Sequence, residues 1–401
     1  MGPIDGVRVL DLTVGIAGPY ATRLLADYGA DVIKVEPPTG DLTRRLGPFP
    51  GDEPHPEKSG TFIYFNTNKR SAVIDLRAPS ARDVVERLVD WADVVVESFK
   101  PGVLDALGAG WDVIRSRNPS ISLVSISNFG EVSPYRDYEG TELTLYGFGG
   151  EMYSMGVAER EPVKMFGTAA LVESGAAAAN AVMASLFLTH RQGIGQHVDF
   201  SIVDSQFGGA DRRHVSAIAF EFSGRRTPRN PLDSSGILRG VYPCADGYVE
   251  FTGAGTRLDR FRQMLGYPEW LSDPRWDVPG AIFLPDNTAE FDGHFYPWLY
   301  QHTKKEIWEK ARDARVLCGP LFTIDELVAD DHFRERGFWQ AVEHPAAGAF
   351  EMPGRPFIMN ASPWELRRTA PLLGQHTREI LGEIGFTAAQ QDGLFAKGVV
   401  A

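Results

Sequence analysis

Short apolar runs alternate with amphipathic stretches through the first 130 residues of the chain, and each run is rich in Val, Ile and Leu. This pattern predicts strands at 7–12, 31–36, 72–76, 94–97 and 122–127. Helical spacing of apolar positions predicts helices at 20–28, 80–91 and 103–117 between them. Strands alternating with helices of this length predict a parallel sheet with crossover helices. A long stretch rich in Ala, Leu, Val and Met at 169–190 reads as a core helix buried nearly all round. A turn at 193–196 then leads into a strand at 197–202 and a helix beginning at 203.

Between residues 224 and 240 the composition shifts to Arg, Pro, Asn, Asp, Ser and Gly, which marks a domain boundary or a functional loop. A second unit follows, with a strand at 248–252, a helix near 258–265, a Trp- and Pro-rich middle and a helix at 304–314. The tail at 377–384 is again amphipathic.

A length of 401 residues suggests two domains, and 43% hydrophobic with 23% charged residues is ordinary globular composition. The 53 acidic against 40 basic side chains give a net charge of -13, which disfavours nucleic acid as a partner. Only Cys244 and Cys318 are present, which suits a reducing compartment and a structural role for both. No apolar run is expected to reach the roughly 18 to 20 residues of a membrane span, and the start lacks a leader pattern, so a cytoplasmic protein is expected.

Gly147, Gly149 and Gly150, or Gly193 and Gly195, do not form a dinucleotide fingerprint, because Gly193 follows a helix and precedes a strand. The nine histidines are scattered, so no metal site is expected, and His190 and His197 read as structural. In the run from Ile16 through Ala17, Gly18 and Pro19 to Tyr20, small residues end a strand and a proline opens a helix. Two readings stay open there: backbone amides facing an anion, or an ordinary tight turn.

The string VRVLDLTVGIAGPYATRLLADYGADVIKVEPPTGDLTR resembles the N-terminus of the class III (CaiB/BaiF-type) CoA transferases. The blocks NTNKRSAVIDLR, DVVVESFKPGVLDALG, NPSISLVSISNFGEVSPYRDYEG, RQGIGQHVDFSIVDSQ, GVYPCADGYVEF, GPLFTIDELVADDHFRERGF and APLLGQHTREILGEIG extend the resemblance over nearly the whole chain. It implies an α/β fold: a large Rossmann-like domain with a parallel sheet, a smaller α+β central domain, and an interlocked dimer. The expected division is 1–223 for the N-terminal part of the CoA-binding domain, 224–325 for the central domain and 326–401 for the returning tail. The substrates implied are an acyl-CoA and an organic acid, with no permanently bound cofactor.

In such enzymes an aspartate attacks the thioester, and the residue lies shortly after a Pro-Val-Lys block, here Pro162, Val163 and Lys164. Counting from both flanking blocks puts Leu171 at that position. Glu142 matches an acidic residue near the family's active site, and Glu173 lies two helical residues beyond Leu171, about 200° around the axis. Ala17, Ile74, Arg77, Phe99 and Leu107 fit the family's CoA contacts, and Ser98 holds a further contact position where asparagine is common. Ile16, Ala106 and Pro37 depart from the pattern, and the loop of Asp233, Ser234, Ser235 and Gly236 has less glycine than in formyl-CoA transferase.

Three readings follow from the resemblance. The chain is the non-catalytic subunit of a heteromer, as in two-subunit members such as succinyl-CoA:(R)-benzylsuccinate CoA transferase. Alternatively it is an active homodimer that uses Glu142 or Glu173, or a divergent racemase or lyase. The last is disfavoured because Thr141 and Leu171 stand where racemases of the family resemble a His and Asp pair. Tyr146, Phe148, Met152 and Tyr153 hint at a bulky or aromatic acid, although residues at such spacing after a turn are more often core than specificity determinants.

Overall fold

A computed structural model describes residues 2–209, 211–229, 237–252 and 258–401. The loop of Asp233 through Gly236 lies outside the described residues. The chain divides into two compact units, one formed by Met1–Met155, Pro162–Pro228 and Gly337–Ala401, the other by Gly156–Glu161 and Arg229–Arg336.

The larger unit is built on six strands: β1 (Arg8–Leu12), β2 (Asp31–Glu36), β3 (Arg70–Val73), β4 (Val94–Glu97), β5 (Ser122–Ser127) and β6 (His197–Ser201). They pair in the order β3-β2-β1-β4-β5-β6, all parallel. Side chains alternate between the two faces. Leu10, Ile33, Val95 and Leu123 join one apolar layer, while Val9, Val32, Val94, Val96 and Val124 join the other. Each such side chain contributes about 1.5–3 kcal/mol on burial, and because both layers are covered the strands read as nearly continuous apolar runs.

Helices α1 (Ala17–Asp27), α2 (Gly60–Asn66), α3 (Ala81–Trp91), α4 (Val103–Ala106), α5 (Trp111–Arg117), α6 (Glu142–Phe148) and α7 (Glu151–Ser154) follow in order. The single helix expected at 103–117 is two, because Gly108 adopts φ +74° and ends the first turn before α5 begins. The next helix, α8 (Ala169–Gln192), differs from the helix expected at 169–190 in one respect: it is not buried all round. Ala170, Ser174, Gly175, Ala178, Val182 and Ser185 form its buried stripe, and Met183 and Phe187 face outward. Alanine on both faces hides this amphipathicity from a composition-based reading. By length and composition alone α8 could cross a membrane, contrary to the expectation that no such run exists, but its buried stripe packs on α1 and the sheet. Gly175 permits the close approach, since a Cβ there would lie 2.6 Å from the Ala17 carbonyl oxygen.

Helices α9 (Ile202–Gly209) and α10 (Asp211–Ser223) complete this part of the unit. From the far end of the chain, the hairpin β10 (Trp339–His344) and β11 (Gly348–Pro353) and helices α16 (Thr377–Glu383) and α17 (Ala388–Ala396) belong to the same unit. Ile380, Leu381 and Leu394 sit in the core layer with Leu10 and Ile33.

The smaller unit holds an antiparallel sheet of β7 (Gly240–Cys244), β8 (Gly247–Phe251) and β9 (Cys318–Leu321). Around it lie α11 (Leu258–Met264), α12 (Pro285–Leu299), α13 (Lys304–Asp313), α14 (Ile324–Ala329) and α15 (Asp331–Glu335). Its core is aromatic, with Phe251, Phe261 and Phe295 packed edge to face and Phe291 tilted against the last two, and both cysteines are free thiols beside it.

Candidate active site

The strand order reverses direction between β1 and β4, so the segments that leave their carboxyl ends diverge and open a crevice. Two cavities occupy it. The larger, about 620 Å³, is walled by Val14 to Gly18 after β1, Ser98 to Pro101 after β4, Ile126 to Asn128 after β5, and Arg136, Tyr138, Thr141, Glu142 and Leu171. The smaller, about 340 Å³, is lined by Leu76, Arg77, Pro79, Arg82, Leu104, Ala106 and Leu107 among others.

A buried charge network holds the β1 segment from beneath. Lys69 Nζ donates to Asp11 Oδ2 at 2.9 Å, to the Pro19 carbonyl at 2.8 Å and to Asn66 Oδ1 at 2.9 Å. Asp11 also accepts from the Thr13 amide and from the Thr22 hydroxyl, and Lys34 Nζ joins the Thr13 carbonyl to Asp41. Burial alone would raise the Asp11 carboxyl, but Lys69 and Lys34 outweigh it and hold it down at about 2. Burial pushes the Lys69 ammonium down to about 8 in spite of Asp11. The loop above is thus anchored by charges that water does not reach. Helix α1 starts at Ala17, two residues before Pro19, with Ile16 as its N-cap, so Ile16, Ala17 and Gly18 face the cavity.

On the opposite wall, α8 begins with Ala169, and Leu171 occupies its first turn. Glu142 spans the gap to this helix: Oε1 accepts from the Ala170 amide at 3.1 Å and Oε2 from the Leu171 amide at 3.0 Å. Lys164 Nζ donates to Glu142 Oε1 at 2.9 Å and to the carbonyls of Met165 and Gly167 at 2.6 Å each. A carboxylate here satisfies helix amides that would otherwise lack partners and sits at the positive end of the dipole. Thr141, the N-cap of α6, fixes the start of the helix that carries Glu142.

Among the residues singled out from the sequence, the larger cavity gathers Ile16, Ala17, Ser98, Phe99, Thr141, Glu142 and Leu171, and the smaller gathers Arg77, Ala106 and Leu107. Ile74 lines neither; it is 1% exposed in the core and bridges to Val400 near the end of the chain. Glu173 lines neither, and burial raises its carboxyl. Tyr146 is buried, Phe148 packs against Phe129 and Tyr135, and neither these nor Met152 and Tyr153 line the larger cavity. Sequence reasoning did not single out Lys100, Arg136 and Tyr138 on its wall, nor Lys164 as the partner of Glu142. A lysine in the very Pro-Val-Lys block used for counting was the available signal for the last. Among the described residues no group of His, Cys, Asp or Glu has the arrangement of a metal site. His197 stacks on Trp111 and bonds Ser125.

The family model described as CoA-transferase family III matches residues 4–377. The chain belongs to this family. It is 32% identical to the BbsE subunit of succinyl-CoA:(R)-benzylsuccinate CoA-transferase from Thauera aromatica, over 98% of this chain and 97% of that protein. It is 33% identical to the succinyl-CoA–D-citramalate CoA-transferase of Chloroflexus aurantiacus, over 99% and 98% of the two chains. A CaiB/BaiF family protein from Brucella suis has a crystal structure that superposes with a TM-score of 0.83 at 29% identity, covering 96% of this chain and 99% of that one. As a family III CoA transferase the chain is of an enzyme kind whose substrates are CoA thioesters, and the expected α/β fold with a parallel sheet is observed, the sheet having six strands.

Proposed function

We propose that this family III chain binds an acyl-CoA in the switch-point crevice and serves as the non-nucleophilic subunit of a heteromeric CoA transferase. Leu171 carries the reading. By its place in the sequence it stands where the family's attacking aspartate is expected, and its side chain forms cavity wall at the first turn of α8. A leucine has no lone pair with which to attack a thioester carbon. The carboxylate beside it, Glu142, is already committed, with both oxygens on helix amides and one on Lys164. A nucleophile must be free to leave such contacts.

The other half of the reading is retention of the ligand site. Arg77 and Arg82 at the smaller cavity and Lys100 and Arg136 at the larger supply cations suited to phosphate groups on a chain that is acidic overall. Ala17, Ser98, Phe99 and Leu107 supply small and apolar wall beside them. The residues present therefore fit CoA as a substrate, and the similarity to a subunit of succinyl-CoA:(R)-benzylsuccinate CoA-transferase agrees with a heteromer.

The test is transfer activity with and without a partner. The purified chain alone should bind CoA but transfer none from succinyl-CoA to carboxylic acids, and activity should appear on co-expression with a related chain that holds aspartate at the equivalent position. Hydroxylamine should then trap an aspartyl adduct on that partner only. Transfer by the isolated chain that is lost in Glu142→Gln or Glu173→Gln would replace this reading with that of an active homodimer.

A further inference from the structure

Behind the wall of the larger cavity lies a buried acid with no place in the reading so far. Glu97 ends β4 and is 5% exposed, and it does not itself line the cavity, whereas Ser98 to Pro101 immediately after it do. Its Oε2 accepts the Phe99 amide at 2.6 Å, and Ser98 Oγ accepts the Val14 amide at 2.8 Å. One carboxyl thus shapes the turn that joins the β4 wall of the cavity to the β1 wall.

On its other side Glu97 has Ser125 as its register partner on β5, where the hydroxyl favours the charged carboxylate, and Ser125 Oγ lies 2.9 Å from His197 Nε2. That nitrogen is 3.6 Å from Glu131 Oε2, and both of these side chains are partly open to solvent. A hydroxyl between an acid and an imidazole can direct its proton either way. With Glu97 ionised, Ser125 donates to it and the imidazole N–H donates to Ser125. With Glu97 protonated, its O–H donates to Ser125, which donates to the bare Nε2 of the other tautomer. For uptake, a proton arriving from solvent at the imidazole passes from Nε2 to Ser125 Oγ while the serine's own proton moves to the Glu97 carboxylate. One N–H and one O–H bond break, two O–H bonds form, and no electrons change hands.

We propose that Glu97 is a positioning residue of the CoA cavity that takes up a proton, by way of Ser125 and His197, when the polyanionic ligand binds. The proposal rests on the CoA-binding reading above. The groups facing Glu97 are Asp105 from α4, Glu131 from the segment after β5 and His197 from β6, while β1 presents the uncharged Leu12. Burial, with Glu131 and Asp105 adding to it, pushes the Glu97 carboxyl up to about 7, against the hydrogen bonds from Ser125 and the Phe99 amide. A ligand bearing several negative charges against Ser98 to Pro101 raises it further, and the proton it gains comes from solvent through the imidazole.

Calorimetric titration of the purified protein with CoA at pH 7, in buffers of different ionisation enthalpy, reads the protons taken up. Ionisation of CoA's own phosphate contributes equally to every variant and cancels in the difference. The wild type should take up a substantial fraction of a proton more than Glu97→Gln, which keeps an acceptor for the Phe99 amide and should bind with an affinity less dependent on pH between 6 and 8. Ser125→Ala removes a hydrogen bond to the charged form and should move the midpoint of uptake to higher pH. Equal uptake in wild type and Glu97→Gln, or an unmoved midpoint in Ser125→Ala should the Gln variant not fold, overturns the proposal. If wild type does not bind CoA at all, the CoA reading falls, and this inference with it.

Discussion

At position 171 the question reduces to what a helix N-terminus holds. The amides of Ala170 and Leu171 are both taken by Glu142, so a second carboxylate introduced there would share the dipole with it and with Lys164. Leu171→Asp should therefore fold, and on incubation with succinyl-CoA should give a hydroxylamine-trappable adduct at residue 171 that mass spectrometry does not find in the wild type. Absence of the adduct in a folded variant that binds CoA would mean that the pocket has lost more than its nucleophile. Glu142 itself is a cap and ion-pair partner before it is anything else. Glu142→Ala should lower stability by about 1–2 kcal/mol, the usual cost of a lost N-cap, while Glu142→Gln, which can still accept an amide, should lose less. Urea denaturation of both variants decides this, and equal losses would place the contribution in the Lys164 pair instead.

At the scale of elements, the β1 segment owes its position to the Asp11, Lys69 and Lys34 network, whose charged groups are enclosed from water. Removing one partner strands the other's charge, so Lys69→Met or Asp11→Asn should each cost about 3–5 kcal/mol. The double variant should cost clearly less than the two singles together, because the stranded charge is then absent; additive losses in denaturation would show that the groups do not act as a pair. None of this was legible in the sequence, because the three charges lie 23 to 58 positions apart and meet only when β1, β2 and the start of β3 align. The strands themselves were legible, with β2, β4 and β5 found to the residue, since an apolar run covered on both faces stands out against polar turns. Helix α12 was not: it lay in the Trp- and Pro-rich middle to which no element was assigned, because Pro285, Asp286, Asn287 and an internal Pro297 mask helical spacing although proline fits a first turn. Of the candidate site, Glu142 and Leu171 were placed by the family pattern and by counting from flanking blocks and do meet at the cavity wall, whereas Ile74, inside a matched block, and Glu173, two residues beyond Leu171, do not line it. Block matching locates a residue on an element, and only the helical phase and the packing decide which way it faces.

For the molecule as a whole, the outward faces of α8 and α10 are the feature hardest to reconcile with a chain that acts alone. Phe187 on α8 is 67% exposed and Phe222 on α10 is 86% exposed, with Met183, Val215, Ile218 and Phe220 also open to solvent. Single exposed apolar residues are ordinary, but a set this large concentrated on two helices of one unit is what the partner chain proposed above would cover. An interface of obligate type is apolar and extensive, and a duplicated gene product inherits a matching one, so under the proposal the same faces would serve a homodimer or a heteromer with a catalytic relative. Phe187→Glu together with Phe222→Glu should therefore release subunits, read as a fall in native mass from an assembly of two or more chains to one. Stability of the released chain should be lower and no longer depend on protein concentration, because the assembled form alone gains from mass action. Native mass spectrometry after co-expression carries the decisive outcome. An assembly that pairs this chain with a different, related subunit agrees with the role proposed for Leu171, a homodimer that transfers CoA refutes it, and a wild-type monomer in solution would remove the interface reading altogether.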